Sequence, residues 1–294
     1  MKKSLLINAG LLAAVVVLGL LAWLKPSGRD GELALSTQKA AEVKSIELRY
    51  GSGAPVTLER EREEWKIVAP FEARVDAFQV QRLLELLGAK ATARFEATGL
   101  ARYGLSEPAA RVVLGRQNFA FGAVNEMSRE IYVQADDGVY LLPLRAMTAL
   151  PKSPLDLVSK QLFAADEAPD GFDFGSFKVE RADGKWTLTM TSDKVPASEA
   201  GADDINRWID EWRLASALAI QAASERKPVG ALKVRLKNGT DVIIKVMERG
   251  ERTVLARAGQ NFEYVIAAQT AARLLAPPGR IAEAAPAPAA TPAK

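Results

Sequence analysis

The chain repeats its own plan after about 120 residues, which limits it to folds that one strand-and-helix unit can build twice. Leu58-Glu59-Arg60 followed by Trp65 returns as Val179-Glu180-Arg181 followed by Trp186. In both places an apolar-alternating strand enters a tight polar turn, Glu63-Glu64 or Asp183-Gly184. A second strand then opens on tryptophan, WKIV at 65–68 and WTLTM at 186–190. Alternation of this kind predicts antiparallel hairpins with one buried face. A proline loop follows each hairpin, at Pro70 and Pro196, and then a helix. For the first helix Asp76 is the predicted N-cap with Gln79 three residues on, and Val80, Leu83, Leu84 and Leu87 form the apolar face. For the second, Asp203 or Asp204 is the cap and Ile205, Trp208, Ile209 and Trp212 make the face.

Strand patterns continue at 110–115 and 130–143 in the first copy and at 231–239 and 253–268 in the second. Each copy closes on an Ala/Leu helix ending in proline, at 146–151 and 270–278. Each sheet has an apolar face that one amphipathic helix can cover. The expected fold class is therefore α+β, with an N-terminal transmembrane helix followed by two tandem, duplicated antiparallel sheet-plus-helix units. Trp65 and Trp186 are expected as core anchors rather than binding platforms. Trp208 and Trp212, four apart on one helix, are expected to pack on the second sheet.

Residues 5–24 read LLINAGLLAAVVVLGLLAWL, with Asn8 as the one strongly polar member. As a helix this run is roughly 30 Å long, the thickness of a bilayer's hydrocarbon core. Lys2 and Lys3 precede it, Trp23 and Lys25 sit where interfacial anchors belong, and Pro26 stops it. A cleaved secretory signal would have an apolar region of about 7–15 residues and a small-x-small exit. Here the exit is Ala22-Trp23-Leu24-Lys25, so the run reads as an uncleaved anchor. Lys2 and Lys3 nearly tie with Lys25, Arg29 and Lys39 in setting orientation. The short stub favours a cytoplasmic N-terminus with the body outside the inner membrane, in the periplasm of a diderm bacterium. The plan is a stub at 1–4, the anchor at 5–24, a spacer at 25–42, a first α+β repeat at 43–163, a second at 164–278, and a disordered Ala/Pro tail at 279–294.

The absence of His and Cys removes Ser-His-Asp and Cys-His catalysis, disulfides and the commonest transition-metal ligands. Lys+Arg at 39 against Asp+Glu at 36 leaves a net charge of +3, too balanced for a dedicated nucleic-acid binder. Ser153, Ser159 and Lys160 allow a Ser-Lys dyad in name, but their segment reads as a connector between the copies. Asp136-Asp137 reads as a hairpin turn and Asp203-Asp204 as a helix start. Asp173-Phe174-Gly175 matches a kinase tripeptide without its surrounding loops, and no Walker or GxGxxG sequence is present. No enzyme activity, catalytic residue, cofactor or metal is therefore expected. Two function classes remain: a tethered accessory or scaffold protein, and a periplasmic ligand- or glycan-binding module using the cleft between the copies.

Several segments carry a family resemblance. They are Trp65 to Pro70, Val75-Asp76, Arg102-Tyr103-Gly104-Leu105-Ser106-Glu107-Pro108-Ala109, Phe121-Gly122, Ile131-Tyr132-Val133, and Leu155 to Phe163. In these the chain resembles a bacterial domain-of-unknown-function family. Its members carry an N-terminal membrane anchor and are encoded beside gliding-motility (GldG-like) ABC transporter components. The resemblance implies an envelope accessory protein held to the membrane by residues 5–24, with an ABC transporter subunit or other envelope protein as partner. It implies no catalytic residue. Read on their own, Gly104 and Pro108 bracket a turn with Tyr103 packed beneath it, and Gly122 allows positive φ or a close backbone approach at a strand end. Tyr103 and Phe121 are the candidate ligand or partner surface.

Overall fold

Period-two alternation is realised as two large antiparallel sheets and one small two-stranded one in the computed structural model, which describes residues 33–136, 138–193 and 200–279. The expected anchor at 5–24, Asp137, Pro196 and all but the first residue of the Ala/Pro tail lie outside the described residues. Among those described, no helix is long and apolar enough to cross a membrane.

The first copy runs β1 (Leu33–Ala34), β2 (Ser45–Tyr50), β3 (Val56–Glu61), β4 (Glu64–Ala69), β5 (Ala73–Arg74) and helix α1 (Ala77–Leu84). It continues through β6 (Lys90–Ala91), β7 (Ala93–Glu96), β8 (Ala110–Leu114), β9 (Gln117–Asn125), β10 (Glu130–Ala135) and β11 (Gly138–Pro143). The second runs β12 (Pro169–Asp173), β13 (Phe177–Ala182), β14 (Lys185–Met190), α2 (Ala202–Arg213) and β15 (Ala219–Ala222). It ends with β16 (Gly230–Leu236), β17 (Asp241–Glu248), β18 (Arg252–Arg257), β19 (Phe262–Ala267) and α3 (Ala268–Leu274). The class is α+β, dominated by antiparallel strands.

One sheet has the order β5-β4-β3-β2-β8-β9-β10-β11-β7 and the other β14-β13-β12-β16-β17-β18-β19-β15. Substituting β12, β13, β14, β15, β16, β17, β18 and β19 for β2, β3, β4, β7, β8, β9, β10 and β11 converts one order into the other, with β5 as the extra strand. The irregularities match too. Beyond Phe121↔Val133, β9 gains a residue on β10, so that Gly122 and Ala123 oppose Tyr132. Beyond Val246↔Leu255, β17 gains Met247 on β18. Such a bulge bends its strand and increases local twist.

Compact packing divides the chain differently from its sequence period. Among the described residues, one unit takes the chain from 33 to Gly53 with Leu83–Leu150, and the other takes Ala54–Arg82 with the described chain from Pro151 to 279. Within this second unit, a connector strip over 157–162 lies between the chain at 74–76 and the chain at 215–217. Asp76 N–H donates to the Leu157 carbonyl at 2.8 Å and Ser159 N–H to that of Arg74 at 2.8 Å. Along the other edge Leu162 N–H donates to Ala215 at 2.9 Å and Ala217 N–H to Lys160 at 2.8 Å. Phe71 sets its ring 5.9 Å from Phe262, and Arg74 donates to the Gln161 carbonyl at 2.7 Å.

In each unit apolar side chains from one face of a sheet form the core. In the first, Ile46, Leu48, Val112, Leu114, Phe119, Phe121, Ile131 and Val133 are buried. In the second, Ile205, Trp208, Ile209 and Trp212 of α2 meet Phe172 and Phe177, with Phe172 only 4.8 Å from Trp208. The last carbonyls of a helix lack partners within it. Here the Trp208 indole N–H donates to the carbonyls of Arg273 and Ala276 at 3.1 and 3.0 Å, and that of Trp212 to Leu274 at 3.1 Å. The two tryptophans thus supply apolar bulk and finish α3.

Three local expectations need correction. Trp65 and Trp186 are half-buried rather than core, because each stands beside the hairpin turn at the rim of its sheet; on β4 full burial begins at Ile67. The N-cap of α2 is Gly201, whose N–H donates to Asp204 Oδ2 at 3.1 Å, so Asp204 acts from the third helical position. The helix expected at 146–151 is a 3-10 turn over Leu144–Ala149. Asp76 does cap α1, with Oδ1 accepting from Phe78 N–H at 2.9 Å.

Candidate functional site

The surface worth attention lies on the outer face of the first unit's sheet. Between β7 and β8 the chain makes a 3-10 turn over Leu100–Tyr103, held between two left-handed glycines, Gly99 (φ 61) and Gly104 (φ 67). Gly104 N–H donates to Ala101 at 3.1 Å and Leu105 N–H to Leu100 at 3.0 Å. This folds Leu100, Tyr103 and Leu105 down over Ala120 and Val139. The approach leaves no room for side chains. A Cβ on Gly122 would stand 2.2 Å from the Tyr103 carbonyl oxygen, and one on Gly104 would stand 2.8 Å from Ala123 N. Both glycines of the Tyr-Gly-Leu and Phe-Gly segments therefore serve one backbone-to-backbone contact. Gly122 makes its close approach in the middle of β9, at the bulge, and not at a strand end.

Tyr103 anchors an aromatic cluster. Its ring centre is 4.9 Å from that of Tyr132 and 5.8 Å from that of Phe95, and Phe95 and Tyr132 are 6.2 Å apart. The Arg102 guanidinium lies 4.6 Å from the Tyr103 ring centre. Tyr103 itself is 7% exposed and forms the floor, while Phe95 is 38% exposed and Tyr132 half-buried. Asn125 Nδ2 donates to the Tyr132 hydroxyl at 3.4 Å, and Asn125 Oδ1 accepts from Met127 N–H at 3.1 Å. Met127, on the adjoining β9–β10 turn, is 98% exposed. Phe121 is fully buried on the opposite, core-facing side of the sheet, paired with Ala110 and Val133. The structure thus does not bring Tyr103 and Phe121 together. Phe95 and Arg102 were not singled out from sequence as surface residues. The register Phe95↔Val139 sets Phe95 on the outer face, and only the pairing reveals it.

The matching place in the second unit is closed by polar groups. Glu263 stands in β19 where Val139 stands in β11, and is 1% exposed. It accepts from Ser224 N–H at 2.9 Å, Ser224 Oγ–H at 2.7 Å and Gln221 Nε2 at 2.9 Å. Burial pushes its pKa up, but these bonds and the positive charge of Arg226 outweigh burial and hold it below the usual carboxylate value. Arg226 is itself paired with Glu248. Elsewhere in this unit Arg257 binds Glu167 through two bonds of 2.7 Å and the Leu162 carbonyl at 2.9 Å. Burial opposes the Glu167 charge, yet Arg257 and the Ala164 N–H lower its pKa overall. The Tyr264 hydroxyl, buried nearby, is pushed up by desolvation.

The residues weighed for chemistry have structural partners. Ser153 N–H and Lys152 N–H donate to Asp156 Oδ2 at 2.9 and 2.8 Å. Ser159 and Lys160 belong to the connector strip. Asp136 takes the positive φ of a hairpin turn, and Asp173 pairs with Lys178 at 2.9 Å. Among the described residues no group of three or more His, Cys, Asp or Glu is placed to hold a metal ion.

Residues 65–231, more than half of the chain, match the model of a domain of unknown function, DUF4340. The chain belongs to the DUF4340 family. The DUF4340 span opens on Trp65 and takes in the Tyr103–Leu105 turn, Gly122, the aromatic cluster and the connector strip. No curated protein and no solved structure gives a significant match.

Proposed function

We propose that this DUF4340 chain is a membrane-tethered, extracytoplasmic accessory or scaffold protein whose body docks on an ABC-type envelope transporter subunit. The observation that carries the reading is the aromatic surface of Phe95, Tyr103 and Tyr132 beside Arg102, built by the Gly99–Gly104 turn on the outer face of the sheet. Aromatic, Met and Arg side chains are the types enriched at the centres of protein interfaces. The apolar run at 5–24 supports the tether, with a short cytoplasmic stub and the body on the periplasmic side. Tethering confines the body near the bilayer and raises its effective concentration against a membrane partner. In this reading the two sheets are tandem copies of one non-catalytic unit.

An alkaline wash of membranes followed by crosslinking and mass spectrometry tests the proposal. Retention in the pellet with an ABC-type membrane subunit as the dominant crosslinked protein supports it. Release of a chain beginning after Leu24, or recovery of unrelated soluble proteins alone, defeats it.

A further inference from the structure

We infer that the face made by Phe95, Tyr132 and Arg102 receives a protein segment bearing a carboxylate next to an apolar side chain. This rests on the accessory reading for the kind of partner, and goes further by fixing the docking face and the chemistry of what fills it.

The argument starts with the arginine. Its guanidinium lies against the Tyr103 ring, 4.6 Å from the centroid, and the side chain is exposed. No carboxylate pairs with it among the described residues. A guanidinium stacked on a ring still offers the N–H groups along its edge, and two parallel N–H groups fit one carboxylate. The tyrosine has already limited the arginine's rotamers, so the ordering cost of a new ion pair is reduced.

The apolar half of the site lies beside it. Phe95 and Tyr132 share the outer face with Val139 and Leu141, as their registers require. Asn125 ties the turn that carries Met127 to the Tyr132 hydroxyl. The two rings make a seat for an aliphatic or aromatic side chain, and the exposed Met127 on the adjoining turn is a flexible apolar group at its margin.

The second unit provides the internal comparison. At its matching place the loop's arginine, Arg226, is already neutralised by Glu248, and the carboxylate of Glu263 is consumed by Ser224 and Gln221. At this place one copy pairs its loop arginine and buried glutamate internally, and the other leaves a cation on an aromatic floor. Charge complementarity therefore places an acidic partner segment on the first unit alone.

The test uses the full-length chain in its own membrane, with a photo-crosslinking phenylalanine analogue at Phe95 or, in the matching loop of the second unit, at Val229. Expected is a Phe95 crosslink to one polypeptide, mapped within a few residues of an Asp or Glu, and none from Val229. Arg102→Glu should cut the yield about tenfold, Arg102→Lys should cut it less, and replacing the partner's carboxylate by Lys should restore the Arg102→Glu variant. Arg102 is exposed, so an unchanged melting temperature shows that loss of crosslinking is not unfolding. A Phe95 crosslink to lipid, to a second copy, or to a segment without carboxylates overturns the inference, as does an Arg102→Glu variant that crosslinks normally. If a transporter subunit co-purifies but crosslinks only elsewhere, this face is wrong and the accessory reading stands. If no membrane protein co-purifies, the accessory reading itself has failed.

Discussion

Replacing Gly122 by alanine should loosen the whole outer face of the first unit. The added Cβ would sit 2.2 Å from the Tyr103 carbonyl oxygen and 2.9 and 3.0 Å from two Leu105 carbons. Comfortable non-bonded separation is about 3.5 Å, so turn and strand must part by about 1 Å. The nearest atom is backbone, so no side-chain rotation relieves the clash. Overpacking of this kind costs about 1–3 kcal/mol, and a turn that lifts also forfeits ring contacts of about 0.5–1.5 kcal/mol each. A total of about 2–3 kcal/mol is expected. Hydrogen exchange of amides in residues 93–143 is the assay, because the described tryptophans all lie in the second unit. Gly184→Ala is the comparison: its φ is 79, but nothing lies within 4 Å of the added carbon. That change should show backbone strain of about 1–2 kcal/mol and leave the 93–143 region unaltered. A Gly122→Ala loss below about 0.5 kcal/mol would refute the idea that the glycine is set by this close approach.

Arg257→Ala strands Glu167 without its guanidinium and should cost about 3 kcal/mol, with part recovered by adding Glu167→Gln; urea unfolding followed by tryptophan fluorescence measures both. Glu263 is held below its ordinary pKa of 4.5, so its contribution is present above that value and lost as pH falls through the lower folded value. Glu263→Gln should therefore lower stability at neutral pH and flatten the acid limb of the urea midpoint against pH. Trp208→Phe removes the donor to the carbonyls of Arg273 and Ala276 and should cost about 1–2 kcal/mol, with faster exchange of α3 amides as the local sign.

Much of the plan was legible because it rests on periodicity. The hairpins, the Asp76 cap, the apolar faces of both helices and the turn at Gly104 follow from alternation, capping chemistry and glycine. The readings that went astray involved choices settled by neighbours. Trp65 has the composition of a core residue, yet its place at a sheet rim leaves it half-buried. Asp204 is as good a cap by type as Asp203, but Gly201 takes the cap position and the Asp204 carboxylate reaches back from inside the helix to accept its N–H. Tyr103 and Phe121 both drew attention as aromatics beside glycines. Their separation onto opposite faces depends on strand register and a bulge, neither of which leaves a mark in the residues themselves.

What the amino-acid order determined alone is local: where strands alternate, where helices can start, which side chains are apolar, and that His and Cys chemistry is unavailable. Each of these depends on a few consecutive residues and on intrinsic propensity. Only the tertiary structure decided that the chain at 54–82 packs with the second unit, that 157–162 forms the strip binding it there, and that one outer face ends in a stacked arginine while the other encloses a glutamate. Those outcomes depend on groups 42 to 90 positions apart finding one another, which happens only when the chain has closed on itself.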